Sequence, residues 1–410
     1  MNIQISSYLK YAGVLLCSTF LLFACSSDDG GIEPAVEQGQ LVLEASDTEI
    51  DEGETITFTV TADGKPVDAE ILIDGTPASN TSNTFGAAGV YSITAQKEGY
   101  KNSDAVEVKV YRVDVYMAGN DGNFAVYWKN GTLTRLADVA TASSVFVDKG
   151  DVYVAGYDAD FAAYWKNGIV VHLSNGSQEA EATSIFVDNG NVYVAGDEYN
   201  GTKFIAKYWK NGTVVNLSNG SQNAFTSSIF VDKGDVYVAG RDGNFATYWK
   251  NGTTVHLTNG TRYAEATSIF VDKGNVYVAG YEENGTTLVA KYWKNGTAVN
   301  LSNSNQETGA TSVFVNNGNI YVAGYEHNGT KYVAKYWKNG TAVNLTDGSQ
   351  SANANSIFVD KNDVYAAGAE YNGTKYVAKY WKNGTTVNLS DGSQNANAIS
   401  IFVARSLGEK

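Results

Sequence analysis

The sequence predicts an all-β chain dominated by a seven-bladed β-propeller of four-stranded blades, closed by its C-terminal strand and preceded by a small β-sandwich. Three observations predict it. All seven Trp residues of the 410-residue chain stand in one pentapeptide, Tyr-Trp-Lys-Asn-Gly, at Trp128, Trp165, Trp209, Trp249, Trp293, Trp337 and Trp381, and such regularity signals a repeat architecture. Two further phrases recur with it, typified by Val-Tyr-Val-Ala-Gly at 276–280 and Ser-Ile-Phe-Val at 268–271. Finally, the first repeat opens at Val113 without a Ser-Ile-Phe-Val segment, and a spare copy, Ser400-Ile401-Phe402-Val403, follows the last repeat.

Each repeat reads as four antiparallel strands. From Ser268 the first strand turns at Asp272-Lys273-Gly274-Asn275 into Val-Tyr-Val-Ala-Gly, then at Asn284-Gly285 into 288–294, and at Asn295-Gly296 into 298–301. Asn-Gly between β-rich runs is a strong hairpin signal, because both central residues of a type I′ turn need positive φ. A four-stranded unit of about 40 residues is the size of a propeller blade. The spare C-terminal strand completes the first blade and removes the free edge at the seam, so the propeller, 113–410, is ranked above an open solenoid.

The interval from the Gly of the Val-Tyr-Val-Ala-Gly phrase to the next Trp is 9 residues in repeats one, two and four, and 13 in the others. The four extra residues fall in the hairpin between the second and third strands, so the longer hairpins project from one face. Insertions confined to one face often mark a binding face. The candidate binding residues are therefore Glu198, Tyr199, Tyr281, Glu282, Glu283, Glu326, His327, Glu370 and Tyr371 in these hairpins, with Arg262 and Tyr263 in a fourth-to-first-strand loop expected on the same side.

Before the propeller, residues 38–112 alternate apolar and polar side chains with period two, as in 55–60 and 90–95, punctuated by Asp63-Gly64, Asp74-Gly75 and Glu98-Gly99. The stretches Gly53-Glu54-Thr55-Ile56-Thr57-Phe58 and Ala88-Gly89-Val90-Tyr91 resemble bacterial Ig-like domains, which serve as spacers in surface proteins. At the N-terminus, Lys10 precedes an apolar run, 11–24, long enough for an export signal and too short to span a bilayer. Its end, Leu22-Phe23-Ala24-Cys25, resembles the lipobox of bacterial lipoproteins, with Phe23 departing from the small residue usual there. The resemblance implies a signal peptide at 1–24 and an acylated Cys25. The polar stretch Ser26-Ser27-Asp28-Asp29-Gly30-Gly31 opens a tether, 25–37, and resembles the export signal of surface lipoproteins of Bacteroidota. It implies a lipid-anchored protein on the outer membrane, facing outward.

The formal net charge of -15 argues against a nucleic-acid partner, and the charge is spread rather than blocked, which suits solubility outside a cell. Cys17 leaves with the signal and Cys25 carries lipid, so no disulfide is expected. The Trp residues and the Tyr of each Val-Tyr-Val-Ala-Gly are expected to fill the gaps between blades rather than meet ligand. His172 and His256 replace the Asn found at 216, 300, 344 and 388, a structural slot. His327 beside Glu326 falls short of a zinc site, and the Asp148-Lys149-Gly150-Asp151 turns lack the oxygens calcium requires. No nucleophile elbow, sialidase box or phosphate loop is present. The expectation is a monomeric binding module for a glycan or protein partner, with no cofactor, no metal and no catalysis. Two alternatives remain: a polysaccharide-acting enzyme using loop acids as a carboxylate pair, and a passive surface or adhesion scaffold.

Overall fold

The computed structural model describes residues 38–408 apart from 79–80, 139 and 303–304. The signal, tether and Cys25 lie outside the described residues. Among the described residues no helix is long and apolar enough to cross a membrane. The chain forms two compact units that interleave in sequence. The first takes residues through Ser46, Ile56–Asn83 and Ser92–Val106, and the second takes Asp47–Thr55, Thr84–Tyr91 and Glu107–Lys410.

The first unit is built of short strands. Val42–Ala45 and Lys65–Pro66 flank Thr55–Ala62 in one sheet, Glu70–Ile73 lies between Thr76–Ala78 and Gly89–Gln96 in another, and Gln38–Gln40 pairs in parallel with Tyr100–Lys101. Period-two alternation places Ile56, Phe58 and Val60 on one face of their strand, all buried.

The second unit is the seven-bladed propeller. In the fifth blade the strands Ala264–Asp272, Asn275–Glu283, Leu288–Lys294 and Thr297–Asn300 pair in chain order, and five other blades repeat that order. The first blade is completed from both ends of the unit, as the repeat count predicts: Ala396–Leu407 pairs antiparallel with Val106–Asp121. At every third-to-fourth-strand turn Asn and Gly both take positive φ, for example 48° at Asn295 and 82° at Gly296. The Asn also accepts a hydrogen bond from the backbone N–H opposite, as Asn295 Oδ1 does from Val276 at 2.9 Å.

Closure is visible in two rings on the innermost strands. Phe146, Phe186, Phe230, Phe270, Phe314, Phe358 and Phe402 pack tilted against one another in a closed cycle, with ring centres 4.7–5.3 Å apart. The Ser two residues earlier in each strand accepts a hydrogen bond from a backbone N–H of the next blade, Ile185 to Ser144 at 3.3 Å through Val145 to Ser400 at 3.1 Å. Between Ser and Phe the Ile or Val turns away from the axis into the gap between blades. There it meets the Trp and Tyr of the repeats, as in the cluster of Tyr193, Ile229 and Trp249. All seven Trp are exposed by 2 % or less, so they pack blades and offer no face to a ligand.

Each innermost strand carries a β-bulge just before its Ser, as between Ala142 and Ser144. The bulge presses the strand's backbone onto its neighbour, and this explains the invariant Gly of the second strand. A Cβ on Gly156 would overlap the carbonyl oxygen of Thr141, and the same overlap recurs at Gly240 and Gly280.

Candidate functional site

The bulges create the principal cavity of the axis. The extra residue in each strand, among them Ser143, Thr183, Ser227, Thr267, Thr311 and Asn355, lines a funnel of about 540 Å³ whose floor is the ring of Ser. Several of these side chains also join blades: Thr267 Oγ1 donates to the Ala310 carbonyl at 2.9 Å and Thr311 Oγ1 to that of Ala354 at 2.7 Å. The Phe ring lies two residues further along each strand.

Above the bulge the repeat breaks down. Two columns of residues vary freely: the residue after the invariant Gly, and its cross-strand partner on the inner strand. Successive pairs are Asn120 with Asn397, Tyr157 with Thr141, Asp197 with Glu181, Arg241 with Phe225, Tyr281 with Glu265, Tyr325 with Gly309, and Ala369 with Asn353. Seven copies of one scaffold thus present seven different pairs around one mouth.

Two of these pairs are acidic centres of different character. Glu265 is saturated: Tyr263 and Tyr281 each donate to its Oε2 at 2.9 Å, Ser227 donates to Oε1 at 3.3 Å, and Arg241 stands 3.9 Å away. Burial, followed by the Glu265 charge, pushes the Tyr281 hydroxyl well above its ordinary range. Arg241 in turn lies over the Phe225 ring, 4.2 Å from its centre. Asp197 is 5 % exposed and receives one weak hydrogen bond, from the Thr226 N–H at 3.4 Å. Burial, then the charge of Glu181, pushes its pKa up to about 7. Glu181 itself opens into the funnel, and the enclosing walls raise its pKa as well, with Glu179 adding repulsion.

A second cavity, also about 540 Å³, lies off the axis where the sixth, seventh and first blades meet. Its lining includes Asn120, Tyr325, Tyr332, Asn353, Ala369, Tyr376 and Asn397. Tyr332 Oη donates to Glu307 at 3.0 Å, and burial pushes the Tyr325 hydroxyl up to about 12.

The structure distributes the residues singled out by hairpin length unevenly. Tyr263 and Tyr281 reach the funnel mouth, where both bond Glu265. Four of the five hairpin acids are held by lysines of the adjoining strand: Glu198 by Lys207 at 2.5 Å, Glu282 by Lys291 at 2.6 Å, Glu370 by Lys379 at 2.6 Å, and Glu326 by Lys335. These pairs belong to the long-hairpin repeats. In the short ones the Lys position is Val126, Ala163 or Thr247, and a cationic or aromatic group from the fourth strand stacks on the hairpin Phe instead: Arg135 on Phe124, His172 on Phe161, His256 on Phe245. Glu198 and Tyr199 line a peripheral groove, as do Arg262, Glu282 and Glu283. Arg262 Nη1 donates to the Glu283 carbonyl at 3.5 Å. Tyr371 packs on Tyr376, and His327 on Tyr332, with ring centres 5.4 and 5.0 Å apart, so both stand behind the walls of the off-axis cavity. The second acid of the turns has a lysine partner too, Asp151 with Lys166 and Asp235 with Lys250, each at 2.8 Å, and no group of three or more metal-ligating side chains occurs among the described residues.

Hairpin length did not reveal Asn120, Glu181, Asp197, Arg241, Glu265, Tyr325, Asn353 and Asn397. Their signal is in the repeats: they occupy variable columns inside otherwise invariant strands.

No family model matches the sequence, and no curated protein matches it. Among solved structures the chain is similar to YjhT, at 14% identity and TM-score 0.40 over 62% of this chain and 98% of that one. It is also similar to a thermostable family-43 glycoside hydrolase, at 12% and 0.33 over 50% and 93%. A third likeness is to an oxidoreductase of Thermus thermophilus described as a glucose dehydrogenase, at 10% and 0.33 over 55% and 90%. At these identities and TM-scores the likenesses carry no argument about this chain.

Proposed function

We propose that this chain is a binding module on a bacterial outer surface, anchored by lipid on Cys25, whose funnel-bearing propeller face engages a glycan. The observation that supports the reading is the place where repeat symmetry fails. The Trp, Tyr, Ser and Phe that build the propeller recur in blade after blade, whereas the cross-strand pairs around the mouth differ in every blade. Packing demands sameness, so diversity at one rim is the mark of a surface shaped for a partner. Its side chains include Tyr157, Tyr281, Tyr325, Asn120, Asn353, Asn397 and Thr141, rigid aromatic area combined with adaptable hydrogen bonding, beside the charged Asp197, Glu181, Arg241 and Glu265. A glycan array probed with the chain, and with a variant carrying Tyr281→Ala, His327→Ala and Tyr371→Ala, tests this. Binding lost in the variant supports the reading; absence of binding by the unaltered chain turns it toward a protein partner or a passive scaffold. Replacing Cys25 by Ser and following fatty-acid incorporation tests the anchor.

One observation favours a second reading, an enzyme acting on a polysaccharide. Burial and the Glu181 charge push Asp197 up to about 7, and the two carboxyls face each other across neighbouring strands; glycoside hydrolysis uses a pair of carboxyl groups, one of them held protonated near neutral pH. Release of reducing ends from a bound glycan, abolished by Glu181→Gln, would establish it.

A further inference from the structure

We propose that the off-axis cavity is a saccharide subsite selective for neutral sugars, a deepening that rests on the glycan-binding reading above. The cavity lies at the smallest residue of a variable column. Where the fifth and sixth blades carry Tyr281 and Tyr325 after the invariant Gly, the seventh carries Ala369. The Tyr281 ring fills its own position against Glu265. The Tyr325 ring lies over Gly309, where a Cβ would strike it. At Ala369 no ring fills the equivalent space, and about 540 Å³ is left open, inside the range of roughly 300–1,000 Å³ typical of small-molecule sites.

What surrounds that space is suited to a polyhydroxylated ring. Tyr325, Tyr332 and Tyr376 supply aromatic walls, of which Tyr376 is 40 % exposed, and the apolar face of a pyranose lies well on such a ring. The wall opposite is a chain of amides. Asn353 Nδ2 donates to Asn355 Oδ1 at 2.5 Å, and Asn355 Nδ2 donates to Asn397 Oδ1 at 2.8 Å and to the Ala398 carbonyl at 2.8 Å. This chain fixes which way each amide is turned. It engages the Asn353 amino group and the Asn397 oxygen, so the Asn353 oxygen and the Asn397 amino group remain as one acceptor and one donor for sugar hydroxyls. Glu307 is the charged side chain of the lining, and among the described residues no cation lines the cavity to pair with a carboxylate or sulfate. A neutral ligand loses nothing there, while an acidic sugar would bring its charge beside Glu307 on a chain of net charge -15.

The decisive variant is Ala369→Tyr, which places there the residue of the fifth and sixth blades and refills the cavity while leaving the rest of the face as it is. Tyr376→Ala, at an exposed position, removes one wall without adding bulk and serves if the first variant folds poorly. The probes are an array of neutral, uronic-acid and sulfated oligosaccharides, followed by calorimetric titration with the neutral oligosaccharide of strongest signal. The expected result is binding to neutral glycans, weakened about tenfold or more in either variant, a loss equal to one good contact. Neutral binding unchanged in both variants overturns the subsite and leaves the face as a glycan-binding surface. Binding confined to acidic glycans overturns the subsite's selectivity and with it the proposal. Absence of binding by the unaltered chain to every glycan removes the reading on which the proposal rests.

Discussion

Replacing Asp197 by Asn is expected to stabilise the propeller at neutral and alkaline pH and to leave it unchanged in acid. The carboxyl is buried, and burial together with the Glu181 charge raises its pKa to about 7, against 3.8 for an unperturbed Asp. Below pH 3.8 the group is protonated folded or unfolded, and folding carries no penalty from it. Between that value and about 7 the folded chain holds a proton that the unfolded chain has released, so stability falls as pH rises, by about 1.4 kcal/mol per pH unit. Above the folded pKa both states are ionised and the penalty is constant, on the order of 4 kcal/mol from the difference between the two values. Asn has the same shape, keeps an oxygen for the Thr226 N–H, and carries no charge. Urea unfolding at a series of pH values from about 4 to about 8, spanning the window in which the two states differ in bound protons, measures the effect. The midpoint of Asp197→Asn should exceed that of the unaltered chain at the alkaline end and converge with it toward the acid end. Glu181→Gln should leave the onset of the difference where it is, at the unfolded pKa, and make it level off at lower pH with a smaller final penalty, because the second cause of the raised folded pKa has been removed. A difference that is equal at both ends of the series, or an Asn variant that is weaker at the alkaline end, would refute the argument.

The Glu–Lys pairs of the long hairpins give a second prediction. Lys207→Met should cost about 1–3 kcal/mol by leaving the half-buried Glu198 without its ammonium partner, and Lys207→Met with Glu198→Gln should recover most of that, as a double-mutant cycle by thermal unfolding would record. Closure gives a third. Deleting residues 396–410 removes the strand that pairs with Val106–Asp121 and takes Phe402 and Ser400 out of both rings, so the truncated chain should lose its cooperative thermal transition and aggregate. Retention of that transition, followed by circular dichroism, would show that the ring does not depend on its seam.

The sequence made the architecture legible because seven copies test one another. A strand boundary or an Asn-Gly turn inferred in one repeat is checked in six more, and the spare Ser400–Val403 segment exposed the closure before any contact was known. The same redundancy made the Trp residues readable as packing. It did less for the site, for a physical reason. Insertions are visible as changes in spacing, and spacing pointed to the hairpin tips, yet a hairpin lengthened by four residues must also tie down the polar groups it adds. Here it does so with Glu198–Lys207 and its three counterparts, so four of the five acids that looked available are engaged. The funnel, in contrast, is made by a one-residue bulge, which turns Thr183 or Thr267 toward the axis without altering repeat length. Its trace in the sequence is the invariant Gly that the bulged backbone crowds. Immediately beyond that Gly the repeat stops being uniform, because residues there ring the mouth of the propeller and sit outside the Trp and Tyr packing that every blade shares. An exchange such as Tyr for Ala at 369 disturbs no packing, and this is the freedom that lets one duplicated blade acquire seven different rims.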